Sequence, residues 1–154
     1  MDLTPAQRAT LRTAIIAEPT LAAALAAGND AAVADWLNAS TAYVVWRSSV
    51  TPAEVMQQFV WAEVDALSVG KARIWDWMRA MPSIDAGIGR FRNGLSDCFG
   101  ASSSTFTALA PVLRRTATRA ESLLANGTGT EASPGRLRAE GEVSAADASL
   151  IRVL

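Results

Sequence analysis

The sequence predicts an all-α fold, a helical bundle followed by an extended C-terminal arm. Half of the 154 residues are apolar and many of these are Ala, the strongest helix former. Helix-start signals recur, at Thr4-Pro5-Ala6-Gln7 and again at Thr51-Pro52-Ala53-Glu54. No stretch alternates apolar and polar residues for long enough to indicate a central sheet.

The first third of the chain predicts three short helices. The first runs from Pro5 to about residue 17 and ends before Pro19, because the residue before a proline avoids the helical region. An Ala-rich helix over residues 21–27 ends at Gly28. Asn29 or Asp30 caps a third helix through Trp36 and Leu37. Residues 38–50 are expected to form a loop with an extended piece at 43–46.

The middle of the chain predicts four longer helical segments. One continues from Pro52 to about residue 67, and Gly70 marks a break or kink before the next, over 71–81. Ser83 caps a helix that ends at Phe99. The longest helix follows Ser104, bends at Pro111 and ends near residue 126.

A shift to Gly, Thr, Ser and Pro separates a helical body, residues 1–127, from a C-terminal arm, residues 128–154. Within the arm we expect a linker over 128–135, a short strand over 136–143 and a short helix capped by Ser144. The arm has little apolar surface to bury, so it is predicted to become ordered only on a partner. Its interface candidates are Arg136, Arg138, Leu150 and Ile151.

The helix predicted over residues 52–67 has two residues on the unexpected side. At about 100° per residue, Glu63 falls within the apolar arc. Burying an unpaired charge costs several kcal/mol, so an ion pair with Arg73 or Arg47 is predicted. Trp61 falls on the polar side, where either another part of the chain covers it or another subunit contacts it.

The following helix carries an apolar stripe that indicates a core face. It consists of Ile74, Trp77, Met78 and Met81. Trp75 lies at the edge of this stripe and is a further interface candidate.

Two arginines of the longest predicted helix, Arg115 and Arg119, lie one turn apart. They would repel each other mildly unless an acidic group approached. They are therefore candidates for an electrostatic contact, with a solvated surface as the alternative.

The net charge of −1 is unevenly distributed. Residues 1–70 carry three basic and seven acidic residues, residues 71–119 carry eight and three, and residues 120–154 carry three and five. Such blocks are common on solvated surfaces, but they also suit a subunit whose acidic side meets the basic side of its neighbour.

The composition argues against the common catalytic sites. The chain has no histidine and one cysteine, Cys98, which excludes Ser-His-Asp and Cys-His catalysis and metal-ligand spacings. Gly87-Ile88-Gly89 lacks the third glycine of a dinucleotide-binding loop. We expect no enzyme activity, no cofactor, no metal, no signal peptide and no membrane span.

The segment from Val60 to Met78 has the most distinctive composition of the chain, with three of the five Trp and the only Lys. With Arg114 to Glu121 and Asn126 to Gly129, it resembles a small protein family of tailed bacteriophages, over residues 1–145. Members are encoded among the head and head–tail genes. Proteins of similar size there include the head–tail connector, or adaptor. Adaptors are helical bundles that form rings of twelve, often with a C-terminal arm inserted into the portal.

The resemblance implies a virion structural protein, a head–tail connector subunit at the head–tail junction that is in the host cytoplasm during assembly. Its expected partners are further copies in a ring of twelve, the portal, and a downstream neck or tail protein. DNA is expected to touch it only while passing through the ring.

Two alternatives remain open from the sequence. One is a capsid-decorating or tail protein of the same phage. The other is a small helical regulator that binds nucleic acid through Arg114, Arg115 and Arg119.

Overall fold

The computed structural model describes residues 1–154, with ten α-helices and two strands. The elements, in chain order, are α1 Pro5–Ala17, a 3₁₀ turn Pro19–Leu21, α2 Ala22–Ala27, α3 Asp30–Asn38, β1 Ser40–Trp46, α4 Pro52–Met56, α5 Trp61–Asp65, α6 Val69–Arg79, α7 Gly89–Phe99, α8 Ser104–Leu113, β2 Arg114–Thr118, α9 Arg119–Leu124 and α10 Ala145–Val153. Residues 1–45 and 116–154 form one compact unit, unit 1, and residues 46–115 form a second, unit 2.

The prediction of an all-α bundle is wrong. The fold is mixed, 57% helical, and β1 and β2 pair in a two-stranded antiparallel sheet. Neither strand lies in the C-terminal segment, where a short strand was expected over residues 136–143. The extended piece expected at 43–46 belongs to the longer strand β1.

Unit 1 has its core between α1, α3, α9 and α10. The largest fully buried side chains here are Leu11, Ile15, Leu37 and Ile151. α3 and α10 are also tied by an ion pair, in which Arg152 donates to Asp30 at 2.8 and 3.4 Å. The boundary expected between residues 127 and 128 lies inside unit 1, and α10 belongs to the core of that unit.

Unit 2 has its own core, built from α4, α6, α7 and α8. Its central side chains are Val55, Ile84, Leu95 and Leu109, all fully buried. An antiparallel bridge between Val50 and Ile84 ties the segment before α4 to the loop before α7. Both units thus bury enough large aliphatic side chains to form separate cores.

Two of the long helices predicted from the sequence are interrupted in the structure. The helix expected over 52–67 is divided into α4 and α5 by residues 57–60, where Phe59 turns into the core of unit 2. The helix expected over 104–126 is divided by β2. Neither break contains Gly, and the one proline, Pro111, lies inside α8. Tertiary pairing and packing therefore override local helix propensity at both places.

Candidate interaction surface

Helix α6 buries a different tryptophan from the one its stripe predicted. Trp75 and Met78 are buried, whereas Trp77 is 69% exposed. The ring of Phe59 meets Trp75 edge-on at 4.9 Å, so α6 turns Trp75 inward and Trp77 outward. The assignment of Trp77 to the core is wrong, and Trp75 is not available as an interface residue on the surface of unit 2.

A groove of about 400 Å³ lies between α6 and α7. Its lining residues are Ile74, Met78, Ile88, Arg90, Phe91 and Gly94. Gly94 leaves space beside Met78, since a Cβ at this position would lie 3.6 Å from the Met78 sulfur, an ordinary van der Waals distance. Trp77 lies one helical turn after Ile74 on α6. Met81, two residues past the end of α6, is 36% exposed.

Trp61 is the second exposed tryptophan of unit 2. It is the first residue of α5 and its side chain is 61% exposed. Its ring meets Phe59 edge-on at 6.1 Å, and Phe59 itself contacts Trp75 and Phe99, each at 4.9 Å between ring centres. Buried aromatic rings thus hold Trp61 at the surface, a suitable arrangement for an interface residue.

Glu63 binds the N-terminus of α8 and not the predicted arginines. Its two carboxylate oxygens accept hydrogen bonds from the backbone N–H groups of Ser104 and Thr105, each at 2.9 Å, at the start of α8. The pKa of Glu63 is lowered first by a hydrogen bond with the Thr105 side chain, and then by the backbone bond from Thr105. The predicted ion pair is wrong because a helix N-terminus offers a carboxylate unsatisfied donors and the positive end of its dipole.

The two arginines proposed for Glu63 lie elsewhere. Arg47 donates to Glu54 at 2.8 Å and to the carbonyl of Val112 at 3.0 Å, whereas Arg73 is exposed. The backbone bond from Thr51 is the largest cause that lowers the pKa of Glu54 to about 2, followed by the bond from Arg47 and the side-chain bond with Thr51. Glu54 is thus a structural carboxylate that closes the first turn of α4.

The arginine pair predicted on one helix face is divided between two elements. Arg115 belongs to β2 and Arg119 is the first residue of α9, so they are not one helical turn apart. The guanidinium of Arg119 lies 4.2 Å from the ring centre of Trp36 and donates to its carbonyl at 2.9 Å. Arg119 therefore contributes to the interior contacts of unit 1 and not to a row of surface charge.

A second arginine–tryptophan contact was not anticipated from the sequence. Arg92 lies 4.2 Å and Arg114 lies 5.2 Å from the ring centre of Trp46, within unit 2. Arg92 also donates to the carbonyl of Ala86. No local sequence pattern predicts this cluster, because its members come from three distant segments of the chain.

The C-terminal interface candidates have different surroundings. Ile151 is fully buried in the core of unit 1, which contradicts its assignment to an interface, while Leu150 beside it is 48% exposed. Arg136 and Arg138 are exposed. Their backbones are held, since Arg136 pairs with Asn126 and the carbonyl of Arg138 accepts from Gln7 at 3.1 Å.

The structure contains no group of three or more His, Cys, Asp or Glu residues that could hold a metal ion. Burial raises the pKa of the Cys98 thiol, which donates to the carbonyl of Lys71 at 3.4 Å. None of the helices is both long and apolar enough to cross a membrane.

Comparison with known proteins found no family model, no curated sequence and no solved structure that matches this chain. The phage-family resemblance therefore remains a prediction from the sequence.

Proposed function

We propose that this protein is a structural subunit of a tailed-phage virion, specifically a head–tail connector that acts through protein–protein contacts. The observation that carries the assembly role is the pair of exposed tryptophans, Trp61 and Trp77, on a unit that already has a complete aromatic and aliphatic core. Trp is enriched at the centres of protein interfaces, where its large ring becomes desolvated. The connector assignment rests on the sequence resemblance.

Further exposed apolar side chains of unit 2 support contact with another protein. Met56 and Val60 are also exposed on unit 2, by 36% and 39%. Single exposed apolar residues are ordinary, but several in one 70-residue unit, with two Trp among them, favour an interaction surface.

Nucleic-acid binding through the arginines is less well supported. Arg119 stacks on Trp36 and Arg114 lies over Trp46, so both already take part in contacts within the protein. A phosphate-binding row requires side chains free to reach the backbone of the nucleic acid.

The proposal can be tested on phage particles from a strain that carries this gene. An antibody raised against the full chain, followed by gold labelling and electron microscopy, is expected to mark the neck between head and tail. Label on the capsid or along the tail would favour the decorating or tail alternative. Particles that carry none of the protein would overturn the virion assignment.

A second test addresses the tryptophans. In a phage that lacks the gene, the variant with Trp61→Ser and Trp77→Ser is expected to leave heads and tails unjoined. The matched control is Val69→Ser, which removes an even more exposed apolar side chain of unit 2 and should restore complete particles. Equal restoration by both variants would show that the tryptophans are not contact residues.

A further inference from the structure

We propose that the groove between α6 and α7 is the docking site for α10 of a second copy of this chain. This inference rests on the proposed role in assembly and specifies which surfaces of the two copies meet. It joins unit 2 of one copy to unit 1 of the next, which makes the contact heterologous.

The groove has the form of a helix-binding site. It is lined by apolar side chains of two helices, with the arginine at position 90 as its one charged residue. The absence of a side chain at Gly94 leaves room beside Met78 and Ile74 for an inserted apolar group. Amphipathic helices bind such grooves through apolar anchors spaced three and four residues apart.

Helix α10 presents anchors with this spacing. Leu150 is 48% exposed, and Val153 and Leu154, three and four residues later, are 65% and 58% exposed. The opposite side of α10 holds Ala148 and Ile151, both fully buried in the core of unit 1. The exposed stripe is therefore presented by a helix that is firmly attached to its own unit.

The charges of the two units are complementary. Unit 2 has eight basic and six acidic residues, a net charge of +2, and unit 1 has six basic and nine acidic residues, a net charge of −3. At the groove, Arg90 is exposed and forms no ion pair, and Glu142, just before α10, is likewise exposed and forms none. This arrangement favours unit 1 of one copy approaching unit 2 of another over contacts between like units.

A contact of this kind repeats from copy to copy. Because the two surfaces differ, a bound pair still offers a free groove on one copy and a free α10 on the other. Heterologous contacts generate a closed ring when the rotation between neighbours closes, as a connector requires.

The test uses disulfide capture between full-length copies. One variant carries Leu150→Cys on α10, and the other carries Arg90→Cys or Gly94→Cys in the groove, which gives two independent groove positions. The native Cys98 is 1% exposed and will not compete. Mixed in equal amounts under mild oxidation, the pair is expected to give mainly the mixed dimer, several times the yield of either variant alone. Val69→Cys, at an 80% exposed position outside the groove, is the control partner for Leu150→Cys and should stay near background.

The outcomes separate this inference from the proposed function. Absence of the mixed dimer with both groove variants, or equal capture with Val69→Cys, overturns the groove–α10 contact even when the protein is found at the neck of phage particles. A groove variant that preferentially captures itself also overturns it, because that result indicates a symmetric contact. Specific capture supports the contact, and it does so even if gold labelling rejects the virion role.

Discussion

Replacing Gly135 by Ala is predicted to destabilise the protein through a clash with one aromatic ring. Residues 126–136 form a loop closed by the Asn126–Arg136 bridge, and this loop clasps β1. Val44 donates to the carbonyl of Gly129 and accepts from the N–H of Gly135, each at 2.8 Å. The sequence indicated only a linker here, so the experiment tests whether the segment is part of the fold.

The ring of Tyr43 occupies the space that a side chain at Gly135 would need. A Cβ at Gly135 would lie 2.5 Å from Cε1 of Tyr43, far inside van der Waals contact. The ring cannot move freely, because its hydroxyl donates to the carbonyl of Gly127 at 2.7 Å. Overpacking of about 1–3 kcal/mol and loss of a hydrogen bond worth about 0.5–1.5 kcal/mol predict a total cost of about 1.5–4.5 kcal/mol.

Thermal and urea unfolding, followed by circular dichroism, measure this cost. For a chain of this size, each kcal/mol lowers Tm by roughly 2–4 °C, so Gly135→Ala should lower it by roughly 3–18 °C. Gly141→Ala is the matched control, because Gly141 has a φ of +104° and no heavy atom within 4 Å of a Cβ. It should show only the backbone strain of about 1–2 kcal/mol.

A double-mutant cycle separates the clash from other effects. In the Tyr43→Ala background the ring is gone, so Gly135→Ala should cost almost nothing. Two results would refute the reasoning. One is a loss from Gly135→Ala that is as large in the Tyr43→Ala background as in the wild-type background. The other is a Gly135→Ala single variant within about 0.5 kcal/mol of the wild type in stability.

Four further predictions concern unit 2. Thr105→Val should cost about 1–3 kcal/mol in urea unfolding, because it leaves the backbone N–H of Val60 without its acceptor, while Thr105→Ser should stay near the wild type. Glu63→Gln should lower Tm at pH 7 and weaken the fall of Tm in acid. The lowered pKa makes this carboxylate stabilising above its unfolded pKa of about 4.3, and the contribution is lost as the pH drops through the folded pKa. Trp75→Ala should cost about 3–5 kcal/mol and Trp77→Ala less than about 0.5 kcal/mol, and equal losses would contradict their different burial. Gly70→Ala, in the first turn of α6 with open space around it, should stabilise by about 0.5–1 kcal/mol, and a lowered Tm would contradict this.

Local signals predicted the helices whose boundaries depend on local contacts. Thr4 and Gln7 form the capping box that starts α1, and Ser144 and Asp147 form the one that starts α10. The break before α9 carries a signal of the same kind, because Thr118 and Glu121 form a third capping box. This capping box predicts that a new helix starts after Thr118, so it would have divided the long predicted helix there. It would not have predicted the strand β2.

The remaining features depend on contacts between distant segments. β2 exists because it pairs with β1, about 70 residues earlier, and nothing within Arg114–Thr118 favours a strand strongly enough to indicate it alone. The inward turn of Trp75 depends in the same way on Phe59 and Phe99. A helical stripe limits a buried face to about a quarter turn, and the neighbouring aromatic rings decide which residue at its edge is covered.

The difference between Trp75 and its neighbours allows assembly to be tested apart from stability. Loss of function in Trp75→Ala would be uninformative, because the core of unit 2 would be damaged at the same time. Trp61 and Trp77 lie largely outside that core, so their substitution removes contact surface at little cost to folding. Unfolding curves that match the wild type, together with failure to join heads to tails, would therefore assign both side chains to an interface.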